Sequence, residues 1–450
     1  MGGRLGRQKP ESQPKQAQAA PAKGSGGKEK AAAGNALNAT AAQGGAGGAA
    51  AGPAGGGAAS VDDFSGLASD SKLTMEDFSI LKVLGKGAFG KVMLVKKKDD
   101  KKNTLYALKT LRKAEIVKRG QIDHTKTERV VLERIHCPFL IHLIYAFQTT
   151  EKLYMVLEYS GGGELFFWIR KQHRFSEARS RLYAAEVLLA VAAMHKENII
   201  HRDLKPENIL CVPPSFLFSL NFPTQKLTNP SPSPDRTHTA RPPFSLDAEG
   251  HVKLTDFGLA KGGITGAGAE GGTRTFCGTP EYVAPEIIEQ KGHGKAVDWW
   301  ALGAILYEML YGLPPFYDTN VNKMYQKIAH DPLRFREDPG VSEAAKDMLR
   351  KMLDRRVSTR LGSGPGGAEE IKSSPFFAQN IDFGKVLAKQ YVPEFRPPAM
   401  RSETDVRNFD AEFTREIPAD SLVTHAMSDT MQVRSNFEGF TYQQDNVGGP

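Results

Sequence analysis

Residues His201–Asn208 read HRDLKPEN: one histidine, a run of alternating charges, a proline and a terminal amide. Ionic side chains at that density cannot all be buried unpaired. Yet apolar pairs flank the stretch, Ile199–Ile200 before it and Ile209–Leu210 after it. A loop pinned at both ends by buried strands can hold side chains in fixed positions. Asp203 then offers a carboxylate to an incoming hydroxyl, and Lys205 could neutralise a phosphoryl group in flight. Asn208 supplies a carbonyl oxygen, a donor that suits hard magnesium. For the octapeptide alone, a charged turn is the plainer reading.

That reading gives way when the other polar groups are taken in order. Three short strands rich in Val, Leu, Ile and Tyr begin at Phe78, and Gly85-Lys86-Gly87-Ala88-Phe89-Gly90 joins the first two. Its glycines let backbone N–H groups approach phosphate oxygens with no Cβ in the way. A bare GxGxxG means little in a chain with 45 glycines. Its place between two strands, not strand and helix, argues against a dinucleotide fold. Lys109 stands on an otherwise apolar strand, where a buried charge needs a partner. Glu128, in the helical pattern that starts at His124, is the natural one; a surface charge pattern is the weaker alternative. Asp256 ends a strand beside a glycine and suits magnesium chelation, and the apolar Phe257 next to it could lock that geometry by packing. Cys277 has no histidine pattern to make it a catalytic thiol and reads as structural.

Several motifs in this order and spacing are a strong signal, where one would be weak. From Phe78 to about Phe377 the chain resembles a eukaryotic protein kinase. The block from Thr273 to Tyr282, Ala284-Pro285-Glu286 and the tail FEGFTY resemble the AGC group, nearest its ribosomal-protein-kinase and Akt branches. The resemblance implies an α+β fold with a small β-rich lobe on a larger α-helical one. It implies an ATP- and Mg²⁺-dependent serine/threonine protein kinase with Asp203, Lys205 and Lys109 as catalytic residues. ATP would be bound by Leu84, Gly85, Lys86, Gly87, Ala88, Phe89, Gly90, Val92, Lys109, Glu128, Glu158 and Ser160, with Leu157 facing the adenine pocket. Asn208 and Asp256 would hold the metal. Thr279 with Glu164, Glu207 and Glu308 would meet protein substrates carrying basic residues before the acceptor. Activating phosphates are expected on Thr275, with Arg202, Lys261 and His124 to receive it, and on Thr441. Ser421 is a further candidate, although Leu422 stands where the family often has proline. An upstream phosphoinositide-dependent-type kinase would be recruited by Phe437 and Phe440. Asp298, satisfied by backbone amides, and Arg360, paired with Glu286, are scaffold.

Composition bounds the rest. The 450 residues carry 40% hydrophobic side chains, a formal charge of +8 and a pI near 9.1. No aromatic-rich basic module or zinc spacing accompanies that charge, so a solvated basic surface is preferred to nucleic-acid binding. Three distant cysteines suit a reducing compartment. No apolar run approaches a membrane span, and Gly6 stands where a myristoylation motif needs Ser or Thr. The expected location is the cytoplasm, extending to the nucleus. A pseudokinase scaffold is the rival function, but every chemical residue is present.

Residues 1–72 are expected to form a disordered Ala/Gly-rich tail, 78–377 the kinase domain, and 378–450 a polar AGC tail with aromatic anchors. Residues 211–245 read as an insertion into a hairpin, either translated intron or a genuine insert, with a functional docking or phosphorylation loop as the rival reading. Excising them leaves ENILLDAEGHVKLTDFG, two strands about a polar turn, and prolines from Pro213 to Pro243 prevent a regular ladder inside.

Overall fold

The computed structural model describes residues 73–87, 89–213, 250–337, 340–421 and 437–444. The expected N-terminal tail, Ala88, Leu422 and most of 211–245 lie outside the described residues.

Alternating β-branched and aromatic residues give the small lobe its strands. These are β1 (Phe78–Lys86), β2 (Gly90–Lys97), β3 (Leu105–Arg112), β4 (Leu143–Gln148) and β5 (Lys152–Glu158). Two helices, α1 (Lys113–Lys118) and α2 (Ile122–Arg134), lie between β3 and β4. The sheet is antiparallel throughout, in the order β1-β2-β3-β5-β4-β8. Its sixth strand, β8 (Tyr442–Gln443), comes from the tail, with Tyr145 opposite Gln443 and Ala146 opposite Tyr442. One face of the sheet closes over Phe78, Tyr145, Phe147 and Tyr154, with the Phe147 and Tyr154 rings stacked at 4.8 Å. The other face is continuous with the main core, which also takes in Phe437 and Phe440. Burying each of those two phenylalanines is worth about 1.5–3 kcal/mol, which fastens an otherwise polar tail.

The large lobe is helical. α3 (Leu165–Gln172) is followed by α4 (Glu177–Lys196), whose first turn is capped by Ser176, its hydroxyl accepting from the Arg179 amide at 3.2 Å. The short hairpin β6 (Ile209–Cys211) and β7 (Val252–Leu254) sits beyond the HRDLKPEN loop. Then come α5 (Pro285–Ile288), α6 (Ala296–Tyr311), α7 (Val321–His330) and α8 (Glu343–Met352). Every residue of α6 is buried, as its all-round apolar sequence requires. The arrangement is the α+β one expected, a sheet lobe and a helical lobe.

Cys211, read as the first inserted residue, completes β6 opposite Val252, and Val212 still exchanges backbone hydrogen bonds with His251 and Gly250. The ladder therefore closes on both sides of the segment that lies outside the described residues.

Candidate active site

Asp298 of α6 positions the HRDLKPEN loop. Its buried carboxylate accepts from the backbone amides of His201 and Arg202, both at 2.9 Å, and from the His195 ring at 2.7 Å. Arg202 is thereby held at φ +67°, a left-handed conformation that a side chain adopts only when its surroundings impose it. The turn presents Asp203. One carboxylate oxygen accepts the Thr279 hydroxyl at 2.6 Å, and the other accepts Lys205 Nζ at 2.7 Å. Lys205 also reaches the Thr279 hydroxyl at 3.1 Å. Asn208 donates its amide to the Asp203 carbonyl at 2.9 Å, which leaves its own amide oxygen as the remaining donor to a cation. Sequence reasoning placed all four residues, and the structure brings them together.

The second cluster lies on β3, α2 and the strand end after β7. Lys109 Nζ is 2.6 Å from Glu128 Oε1 and 2.9 Å from Asp256 Oδ1. Burial works against the charge on Lys109, but Asp256 and Glu128 more than offset it and hold its pKa above the usual lysine value. Lys109 in turn holds the Asp256 carboxyl down to about 2. Asp256 sits at φ +58°, and Phe257 behind it is buried with its ring 5.5 Å from that of His201. The expected Lys109–Glu128 pair is present.

Among the described residues no three His, Cys, Asp or Glu side chains gather as a metal cage. Magnesium is usually bound by one or two protein oxygens together with substrate phosphates. Ionised Asp256 and the Asn208 amide oxygen are donors of that hard type. The glycine-rich loop fits a phosphate chain on independent grounds. A Cβ added to Gly85 or Gly87 would meet nothing within 4 Å, so packing inside the chain does not demand glycine at either position. The loop is closed by Gly87 donating to the Gly90 carbonyl at 2.9 Å. Leu84 is buried, Val92 lies opposite Lys109 across the ladder, and Phe89 is covered by Arg119 with 5.4 Å from guanidinium to ring. Lys86 points out to Glu416 at 3.5 Å.

Three expected residues have other commitments. The Glu158 carboxylate takes the His142 ring at 2.8 Å and Lys253 at 2.5 Å. Against its burial, those two groups hold it down to about 2. Only the backbone of Glu158 is left to meet a base. The Ser160 hydroxyl is buried and donates to the Cys211 carbonyl at 2.9 Å, tying the bend after β5 to the hairpin. Glu308 is buried behind Tyr282, whose hydroxyl donates to it at 2.5 Å. Glu164 and Glu207 do share a patch. Burial, then the charges of Glu207 and Asp410, push Glu164 up to about 7. Burial likewise raises Glu207, and its Oε2 has no hydrogen-bond partner among the described residues. A concentration of carboxylate charge this poorly compensated favours an incoming cation.

Away from the cleft, Arg202 Nη2 lies 3.1 Å from His124 Nε2, and its Nε donates to the Leu259 carbonyl at 2.7 Å. Phe437 and Phe440 are buried, and Arg129, the neighbour of Glu128 on α2, donates to the Phe440 carbonyl at 3.2 Å. Thr441 is exposed beside them. Ser421 follows Asp420, which receives Lys152 at 2.7 Å and Tyr154 at 3.0 Å. Arg360 grips Glu286 with two bonds at 2.6 and 2.8 Å, both side chains buried. Cys137, Cys211 and Cys277 are all buried free thiols, and burial raises the Cys277 pKa, as a structural role requires. Sequence reasoning missed Lys253, His142 and Asp410. Each meets its partner only through folding, and no local motif marks it.

Comparison with known proteins fits this geometry. The family described as Protein kinase domain matches residues 78–377, and Protein kinase C terminal domain matches 400–442. Protein kinase 2 of Dictyostelium discoideum is 46% identical over 375 residues, 83% of this chain and 68% of that protein. The serine/threonine-protein kinase YPK2/YKR2 of Saccharomyces cerevisiae is 46% identical over 382 residues, 85% of this chain and 49% of that protein. Serine/threonine-protein kinase Sgk2 of Rattus norvegicus is 43% identical over 373 residues, 82% of this chain and 89% of that protein. The alignment thus spans about half of the yeast relative and two thirds of the Dictyostelium one.

Proposed function

The chain belongs to the protein kinase family, in its AGC group of serine/threonine kinases, and from that premise we propose that it transfers the γ-phosphoryl group of ATP to serine or threonine in proteins with basic residues before the acceptor. The observation that carries this reading is the Asp203 carboxylate, fixed between the Thr279 hydroxyl and Lys205.

Phosphoryl transfer asks the protein for positioning and electrostatics more than covalent chemistry. Asp203 orients the substrate hydroxyl and accepts its proton. Lys205, kept protonated by Asp203 despite its burial, faces the negative charge that spreads over the transferred group. Lys109, fixed by Glu128, meets the phosphates farther back, and the Gly85–Gly90 amides cover them. Asp256 and Asn208 would hold Mg²⁺, which supplies charge neutralisation on the phosphates when bound. Glu164 and Glu207, with Glu308 behind, supply the negative patch for an upstream arginine or lysine. A scaffold without catalysis would leave this set of paired groups with no role.

Phosphorylation of Thr275 and Thr441 is part of the same reading. A phosphate on Thr275 adds about −1.5 to −2 charge beside Arg202, Lys261 and His124. One on Thr441 would strengthen the seating of Phe437 and Phe440 and, through Arg129, steady α2 and Glu128. An upstream phosphoinositide-dependent-type kinase would use those phenylalanines for docking. Ser421, beside the Lys152–Asp420 pair, is the third candidate.

A peptide array with purified chain and Mg²⁺-ATP tests the proposal. Serine and threonine peptides with arginine upstream should be phosphorylated and tyrosine peptides should not. An acidic or proline-directed preference would overturn the substrate assignment.

A further inference from the structure

Thr273 and His293 face each other across a short antiparallel bridge, each donating its backbone N–H to the other's carbonyl at 2.8 Å. Thr275 is two residues along, with its hydroxyl 3.4 Å from that of Thr273. The backbone here is packed too closely for side chains. A Cβ on Gly272 would lie 2.2 Å from the His293 carbonyl oxygen, and Lys295 and Ala296 donate their amides to Gly266 and Ala267 at 3.0 and 3.1 Å. His293 is therefore held in a fixed place beside the segment that carries Thr275.

One side-chain nitrogen is left over. His293 is only 1% exposed, yet among the described residues no hydrogen bond reaches its Nε2; Arg202, 5% exposed, has its Nη1 in the same condition. A buried polar group without a partner costs about 1–3 kcal/mol, and native proteins keep few of them. Here two stand in one neighbourhood, and both belong to groups that are cationic or can become so. Burial and then the Arg202 charge pull His293 down to about 4. Burial, Arg202 and Lys261 do the same to His124. Of the charged groups that face His293, Arg202 and Lys261 are positive, while Glu286 and Asp298 are negative. Both carboxylates are already engaged, Glu286 by Arg360 and Asp298 by His195 and the catalytic-loop amides. The site is thus short of one anion.

We propose that His293 is a further ligand of the activation-segment phosphate, its Nε2–H donating alongside Arg202 and His124 to the phosphoryl oxygens on Thr275. The inference rests on the reading of Thr275 as a phosphosite and adds a residue and a proton to it. The nearby phosphate favours the imidazolium, so His293 takes up a proton from solvent when the phosphate arrives. Because the His293 pKa lies near 4 before the phosphate arrives, the stability gained on phosphorylation is complete below that value and is lost as pH rises through the phosphorylated pKa. Phosphorylation should therefore stabilise the chain more at pH 5.5 than at pH 8.5, a window set by the starting value of about 4 and its rise with the phosphate.

The full chain, labelled at histidine Cε1, is compared with and without stoichiometric phosphate on Thr275. The His293 resonance is identified among the 11 histidines by its loss in His293→Asn. Phosphorylation should raise the His293 apparent pKa by at least about two units. The gain in Tm on phosphorylation should be about 2 °C larger at the lower pH. That extra gain should shrink in His293→Asn and disappear when His124→Asn is added. If His124 titrates upward and the Tm gain depends on Arg202 while His293 stays where it was, the proposed ligand role is overturned and the Thr275 reading stands. If neither histidine moves and phosphorylation brings no Tm gain, the Thr275 reading falls and this inference with it.

Discussion

Two sites share one loop and are finished to different degrees. On one side, Asp203, Lys205, Asn208 and Thr279 bond to one another at 2.6–3.1 Å, with Lys109, Glu128 and Asp256 beside them paired just as closely. On the other, Arg202 and His293 keep buried nitrogens with no partner among the described residues. The catalytic groups are preassembled, so substrate need not pay to order them. On the proposed reading, those two nitrogens wait for a phosphate that translation does not supply. One peptide bond, between Arg202 and Asp203, separates the two sites, and Asp298 fixes the turn through the His201 and Arg202 amides.

Removing that shared support should have the largest effect. Asp298→Ala leaves two amides and a histidine ring without their acceptor, and breaking a buried charged network of this kind costs about 3–5 kcal/mol. Denaturant unfolding should show the loss, and both catalysis and the response to Thr275 phosphorylation should disappear together. Loss of only one would show that the two sites are supported separately.

Thr279→Val should damage the cleft alone. It removes a 2.6 Å hydrogen bond to a carboxylate, of a kind worth about 1.5–3 kcal/mol, or roughly 10- to 100-fold in kcat. The Tm gain on Thr275 phosphorylation should be unchanged.

A smaller effect should appear in pH dependence. Glu164 is pushed up to about 7 by burial and its carboxylate neighbours, so it charges as pH rises through neutrality. The KM for an arginine-containing peptide should fall about five- to tenfold from pH 6 to pH 8, while the KM for ATP stays flat. An opposite slope would remove Glu164 from the substrate patch. Glu416→Gln should matter least. Its partners Lys86 and Lys91, at 3.5 and 3.0 Å, form an exposed pairing, so the KM for ATP should change by less than about threefold. A larger change would mean that the tail steers the glycine-rich loop.

The cleft was legible in the sequence because its residues travel in short fixed motifs. HRDLKPEN, DFG and the Lys109–Glu128 pairing declare residue type and spacing before folding, and the all-apolar α6 declares its burial. Where contacts are long-range the sequence is mute. Nothing near Glu158 indicates that Lys253, 95 positions on, will claim its carboxylate. Nothing near Phe440 says that the next residues will extend the sheet as β8, although the aromatic spacing did disclose the docking. Cys211 reads as the first inserted residue because excision joins two plausible strands, and only folding shows it opposite Val252 at the end of β6. His293 sits in an unremarkable KGHGK run, and only packing against Thr273 and Arg202 gives it meaning.

The central claim is that Asp203 serves the incoming hydroxyl and not the nucleotide. Asp203→Asn keeps the shape of the loop and removes the proton acceptor. Measured side by side with the unaltered chain, its transfer rate from Mg²⁺-ATP to a serine peptide should fall about 10²- to 10⁴-fold with the ATP dissociation constant nearly unchanged. A near-normal rate, or a loss explained entirely by weaker ATP binding, would contradict the account.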